Sequence, residues 1–191
     1  RRATWIDQNY PAPWERKGGV LGLGSLGEAV AMPRAEFGFA TRGWSRSKKS
    51  IDGVQCFAGS AALDAFLDGV EILVCLLPLT EETRGILNAG LFAKLATGAG
   101  LVNVGRGAHL VESDLIPALD SCVLAAASLD VMSVEPLPAG HPFWKHPRII
   151  LTPHLAADVD PVTSAAAIRQ QIARFEAGRP LEHVAERNRG Y

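Results

Sequence analysis

The sequence is poor in the features that mark the more specialised protein classes. Its three cysteines, Cys56, Cys75 and Cys122, are odd in number, far apart and nowhere spaced as Cys-x-x-Cys, which argues against a disulfide framework or a zinc site. No metal is expected. No stretch reaches the roughly 20 uninterrupted apolar residues that a membrane helix needs, and no apolar signal region follows Arg1-Arg2. An excess of one charge is missing too: 19 basic against 20 acidic residues leave a formal net charge of -1, so no overall field favours nucleic acid or an anionic membrane. Repeats and low-complexity segments are also absent. What remains is a soluble, cytoplasmic protein without nucleic-acid or membrane partners, in which any acidic ligand must be held by local groups.

A chain of 191 residues that is 48% hydrophobic suits one substantial core plus a fragment of a second domain. Short apolar runs alternate with longer amphipathic ones from residue 18, the rhythm of a parallel sheet covered on both faces. The expected fold class is therefore α/β, a doubly wound parallel sheet of the dinucleotide-binding type, with remnants of a second, substrate domain. Strands are expected at 19–23, 39–44, 54–57, 70–77, 101–104, 123–131 and 149–152. Helices are expected from Gly24 toward Phe37, over 60–67 with Ala61, Leu63 and Phe66 facing inward, from Thr80 through Leu95, from Ser113 through Leu119, and over 161–176. Pro33 should kink or restart the first helix. Residues 1–17, with Trp5, Tyr10 and Trp14, read as an interdomain connector helix whose upstream part is missing. The cofactor domain is expected over 18–155, and 156–191 as a crossover helix returning to the substrate domain.

Gly22-Leu23-Gly24-Ser25-Leu26-Gly27 fits G-x-G-x-x-G and stands between a strand and a helix. Glycines there allow a tight turn, a close backbone approach to a pyrophosphate and close helix–sheet packing. The helix N-terminus then offers free N–H groups to phosphates. An acid that would receive ribose hydroxyls is expected about 20 residues on in an NAD site; here Trp44 is followed by Ser45-Arg46-Ser47-Lys48-Lys49. Such a turn can pair with a 2'-phosphate. NADP(H) is expected over NAD(H), with Arg46 and Ser47 the principal contacts, although a solvated basic turn is the blander alternative.

Three further segments put a polar group after an apolar strand, at the edge where open α/β sheets bind ligands: Val104-Gly105-Arg106-Gly107, Asp130 to Glu135-Pro136, and Thr152-Pro153-His154. Reduction of a 2-oxo acid needs a hydride donor, a cation for the carboxylate and a proton donor for the developing alkoxide. Arg106 can be the cation, His154 the acid and Glu135 its partner. Together with Leu77-Pro78-Leu79-Thr80 and Thr83, these motifs follow in order the pattern of the D-2-hydroxyacid dehydrogenase family, which the chain resembles from about Gly18 onward. Gly43 to Ser47, Pro142-Phe143-Trp144 and the closing Arg187 to Tyr191 resemble its glyoxylate- and hydroxypyruvate-reducing branch.

The resemblance implies that His154 protonates the carbonyl oxygen, that Glu135 holds its other ring nitrogen, and that Arg106 grips the substrate. It implies that Asp130 orients the nicotinamide, that Leu77 and Pro78 line the adenosine side, and that Thr83 lies near the pyrophosphate. Val104 and Gly105 complete the cofactor contacts, and Trp144 either walls the substrate pocket or packs a loop. His109, His141, His146 and His183 are taken as bystanders. A small 2-oxo or 2-hydroxy acid and a second copy of the chain are the implied partners. Two rivals come with the family: a cofactor-sensing corepressor without turnover, and a phosphoglycerate-dehydrogenase-like enzyme, whose usual acid after the second strand is missing here.

Overall fold

The computed structural model describes residues 11–182 and 184. Trp5, Tyr10, His183 and the closing motif from Arg187 lie outside the described residues, as does most of the expected connector helix. Within its last part the chain forms a single 3-10 turn, Pro13–Glu15, before the first strand.

Seven strands form one sheet: β1 (Lys17–Leu21), β2 (Ala40–Ser45), β3 (Val54–Ala58), β4 (Ile72–Cys75), β5 (Ala99–Asn103), β6 (Leu124–Leu129) and β7 (Ile149–Leu151). Their order is β3-β2-β1-β4-β5-β6-β7 and every pair is parallel. The helices are α1 (Ser25–Glu36), α2 (Leu63–Leu67), α3 (Ala89–Phe92), α4 (Glu112–Asp120) and α5 (Pro161–Glu176). The expected doubly wound sheet is thus present. Its strand order reverses at β1, which opens a crevice at the carboxyl ends of β1 and β4.

Alternation along the strands divides the core. Leu21, Leu73, Cys75, Leu101 and Leu129 face the larger cluster, built with Phe66, Phe92, Leu115 and Phe143. Val20 faces the smaller one with Leu23 of the following loop and Ala31 of α1. The helices come close enough to forbid side chains on the strands: a Cβ on Gly19 would lie 2.9 Å from Phe66 Cζ. Burial pushes the Cys75 thiol up to about 12, so this cysteine behaves as the small buried hydrophobe expected of it.

Three local expectations are corrected. Ala61 is exposed; Leu67 faces the core beside Phe66. The helix expected from Thr80 to Leu95 is not continuous. Residues 81–85 form turns, Gly85 takes φ +64°, Leu87 bridges to Leu110, and only Ala89–Phe92 is helical. Backbone donors that a helix would use internally are spent across the fold, from Gly85 to Ala108 O and from Leu87 to His109 O. Asn88 then restarts the helix by accepting from Leu91 N. The third correction is at Pro33, which neither ends nor restarts α1. The bond it removes would have gone to Ala29, and both residues are exposed, so the freed carbonyl is on the solvent side of the helix. Pro117 in α4 stands likewise opposite exposed Ser113.

Phe66→Ala should cost about 3–5 kcal/mol, because it empties the centre of the larger cluster; urea unfolding of the variant against the parent measures it.

Candidate active site

The glycine loop connects β1 to α1. Gly22 adopts φ +100°, and a Cβ there would meet Leu76 O at 2.8 Å; a Cβ on Gly27 would fall 1.7 Å from Gly22 O. Only hydrogen fits at either place. Gly24, by contrast, faces open space, and α1 begins with the next residue. This loop is a backbone cradle with room above it, at a helix N-terminus, which suits the pyrophosphate of a dinucleotide.

From the cradle runs a cleft of about 1220 Å³, larger than the roughly 300–1,000 Å³ of an ordinary small-ligand pocket. Its walls include Gly22, Gly24, Ser25, Leu26 and Gly27, then Trp44, Ser45, Arg46 and Ser47, then Leu77, Pro78 and Thr83, and finally Val104, Gly105 and Arg106. Residues expected to hold a cofactor at four separate strand ends therefore line one continuous space. The basic turn is anchored: Trp44 Nε1 donates to Gly59 O at 2.9 Å and the Ser45 hydroxyl donates to Ser47 O at 2.7 Å. Lys49, also on the cleft, pairs with Glu28 of α1 at 2.8 Å. Thr83 closes its own loop, donating to Pro78 O at 2.7 Å and accepting from Thr80 N at 2.8 Å.

Of the groups with proton and anion chemistry, Arg106 lines this cleft and Glu135 and His154 do not. Arg106, Glu135 and His154 follow β5, β6 and β7, three neighbouring strands whose last residues, Asn103, Leu129 and Leu151, are in register. The first two loops touch directly, since a Cβ on Gly107 would lie 1.9 Å from Met132 C. His154 Nδ1 lies 2.8 Å from Glu135 Oε2. Glu135 is held in turn by Met132 N at 2.8 Å, and that backbone bond, with His154, keeps its carboxyl below the usual range. An ionised carboxylate can only accept, so Nδ1 carries the hydrogen and Nε2 is left to exchange a proton.

Residues 1–156 match the family model for the NAD-binding domain of D-isomer-specific 2-hydroxyacid dehydrogenases. The chain belongs to this family. It is 54% identical over 173 residues to glyoxylate/hydroxypyruvate reductase A of Serratia proteamaculans, an alignment covering 91% of this chain and 55% of that one. Two solved structures resemble it closely. The D-isomer-specific 2-hydroxyacid dehydrogenase of Xanthobacter autotrophicus, in complex with NADPH and MES, gives a TM-score of 0.93 at 48% identity, covering 98% of this chain and 77% of that one. The NADPH-dependent glyoxylate/hydroxypyruvate reductase of Sinorhizobium meliloti, in complex with NADP and sulfate, gives 0.94 at 46% identity, covering 98% and 60%. The chain thus spans about half the length of the curated relatives it matches.

Within this family domain two residues are tied up in bonds inside the protein. Asp130 is buried, and its carboxylate accepts from Thr152 Oγ1 at 2.5 Å, Leu155 N at 3.0 Å and Ala156 N at 2.9 Å. These bonds fix the turn that bears His154. Burial pushes the Asp130 pKa up, but the bonds from Thr152, Ala156 and Leu155 outweigh it and leave the group below the usual carboxylate value. His109, taken as a bystander, is wholly buried between Arg106 and Pro78. A single sequence gives no sign of that beyond its place three residues after Arg106. His141 and His146 pair with Glu112 and Asp120 instead. Trp144 is half exposed, donates to Pro138 O at 2.9 Å and is not part of the cleft wall. Among the described residues, no group of three His, Cys, Asp or Glu stands together as a metal site, and no helix is long and apolar enough to cross a membrane.

Asp130→Asn should lower stability at neutral pH by about 1–3 kcal/mol, since an amide cannot accept from all three donors. The native carboxylate's contribution is complete above its unfolded pKa of about 3.9 and is lost as pH falls through the lower folded value. Denaturation curves of the two proteins should therefore begin to approach each other as pH falls below about 4 and meet only below the folded value.

Proposed function

We propose that this chain carries the cofactor domain and the catalytic residues of an enzyme that reduces small 2-oxo acids, glyoxylate and hydroxypyruvate foremost, with NADPH. The observation that carries the reading is the Glu135–His154 pair at 2.8 Å, on the two loops next along the sheet from that of Arg106, which lines the cleft. The relatives' names support the substrate class, and the NADPH and NADP complexes support the cofactor.

The glycine cradle would hold the pyrophosphate, with Leu77 and Pro78 against the adenosine. Arg46 and Ser47, on a turn with no acid to receive ribose hydroxyls, would take a 2'-phosphate; NAD(H) would be used less well. A bound nicotinamide supplies the hydride. Arg106 anchors the substrate carboxylate and polarises the carbonyl oxygen. His154 passes the Nε2 proton to that oxygen as C2 is reduced, and takes it back in the reverse direction. Glu135 stays ionised and stabilises the imidazolium. Proton and hydride are then both accounted for.

The division of the chain belongs to the same reading: a cofactor domain over 18–155, and 156–191 as part of the substrate-binding portion. The lack of any buried residue in α5 supports it. The enzyme would work as a homodimer in the cytoplasm, where three free cysteines are at home. Sedimentation velocity tests the dimer.

Adding glyoxylate or hydroxypyruvate should oxidise NADPH. His154→Ala should reduce that rate by about a hundredfold or more while NADPH affinity changes little. Arg46→Asp should cut the NADPH-to-NADH ratio of kcat/KM by about tenfold. A full-rate His154→Ala enzyme would remove the mechanism, and an unchanged cofactor ratio would remove the 2'-phosphate assignment.

A further inference from the structure

Arg106 can serve as an anion grip only if its loop holds one backbone pose, and three groups hold it. Asn103 Nδ2 donates to Arg106 O at 3.2 Å, the Arg106 guanidinium donates from Nη1 to Gly105 O at 2.7 Å, and Arg106 N donates to His109 Nδ1 at 3.0 Å. The third contact stands apart from the others. His109 is 0% exposed and its second nitrogen, Nε2, lies 3.3 Å from Pro78 O. Pro78 and Arg106 both line the cleft, on the loops that follow β4 and β5.

The tautomer follows from the partners. A backbone N–H only donates and a carbonyl only accepts, so Nδ1 must be bare and Nε2 must carry the hydrogen. A second proton on Nδ1 would expel the Arg106 amide. Burial holds the ring's pKa below the ordinary histidine value, helped by the nearby charges of Arg106 and Arg84. The fit is also tight: a Cβ on Gly105 would stand 2.9 Å from Nδ1. The sequence therefore supplies glycine where the imidazole edge meets the backbone.

We propose that His109 is a positioning residue that, accepting at Nδ1 and donating at Nε2, staples the Arg106 loop to the Pro78 wall and so sets the grip on the substrate carboxylate. The inference rests on the 2-oxo acid reading above. It assigns the two ring nitrogens separate jobs, Nδ1 for substrate grip and Nε2 for the wall between the loops.

Two conservative substitutions separate those jobs. Asparagine places its amide oxygen near the position of Nδ1 and abandons Pro78. Glutamine reaches the position of Nε2 and abandons the Arg106 amide. The probe is oxamate, an isostere of small 2-oxo acids that cannot accept hydride, titrated into the NADPH-loaded protein and followed by NADPH fluorescence, with a thermal midpoint recorded for each variant. His109→Gln should weaken oxamate by about tenfold or more while NADPH affinity stays within about twofold, because a buried N–H has lost its acceptor. His109→Asn should recover oxamate affinity to within about threefold of the parent. Equal loss in both variants, tracking the fall in thermal midpoint, would overturn the proposal and leave His109 as core packing; so would unchanged oxamate affinity in His109→Gln. If the parent itself ignores oxamate, the 2-oxo acid reading fails and this inference falls with it.

Discussion

The Asp130 carboxylate is the constraint on which the placing of His154 depends. It sits where β6 ends, out of water, and three donors from the stretch after β7 converge on it. Its own backbone carbonyl receives His154 N at 2.8 Å. One residue thereby decides where the imidazole stands relative to the sheet. Glu135, five residues on, then decides how that imidazole is turned. Proton chemistry and scaffold meet within six positions of one loop.

The rest of the site obeys the same economy. Hydrogen takes the place of side chains wherever two segments must nearly touch: Gly22 against the loop after β4, Gly27 against Gly22, Gly107 against Met132. The first and third contacts bring neighbouring loops together, and the second tightens the glycine loop itself. Glu112 of α4 adds a brace, accepting from Ser133 N at 3.3 Å and meeting His141 at 3.4 Å.

Strands, their order of chemistry and the glycine cradle were legible because they are written in local patterns: apolar runs, a strand followed by glycines, polar groups just past an apolar stop. The final helix was legible to the residue, since Asp160 caps it and Gly178 at φ +65° ends it. Residues 80–95 were misread for an opposite reason. Their apolar spacing mimics a helix, yet their backbone hydrogen bonds go to the Ala108–Leu110 segment, a partner no window of sequence contains. The internal bonds of Asp130 and His109 show a second blind spot. Motif position reveals that a residue sits near the chemistry, but not whether its polar atoms face a ligand or are consumed by the protein. Only a count of donors and acceptors distinguishes the two.

His154 has a backbone of unusual hand, with φ +53°, in the region that costs a residue bearing Cβ about 1–2 kcal/mol. Glycine would rest there with least effort. Instead the chain keeps an imidazole at a place its backbone resists, and the hydrogen bonds around Asp130 offset the discomfort. On the proposed mechanism, reactivity is installed against the grain of the fold, and this turn is a place where stability is yielded for chemistry.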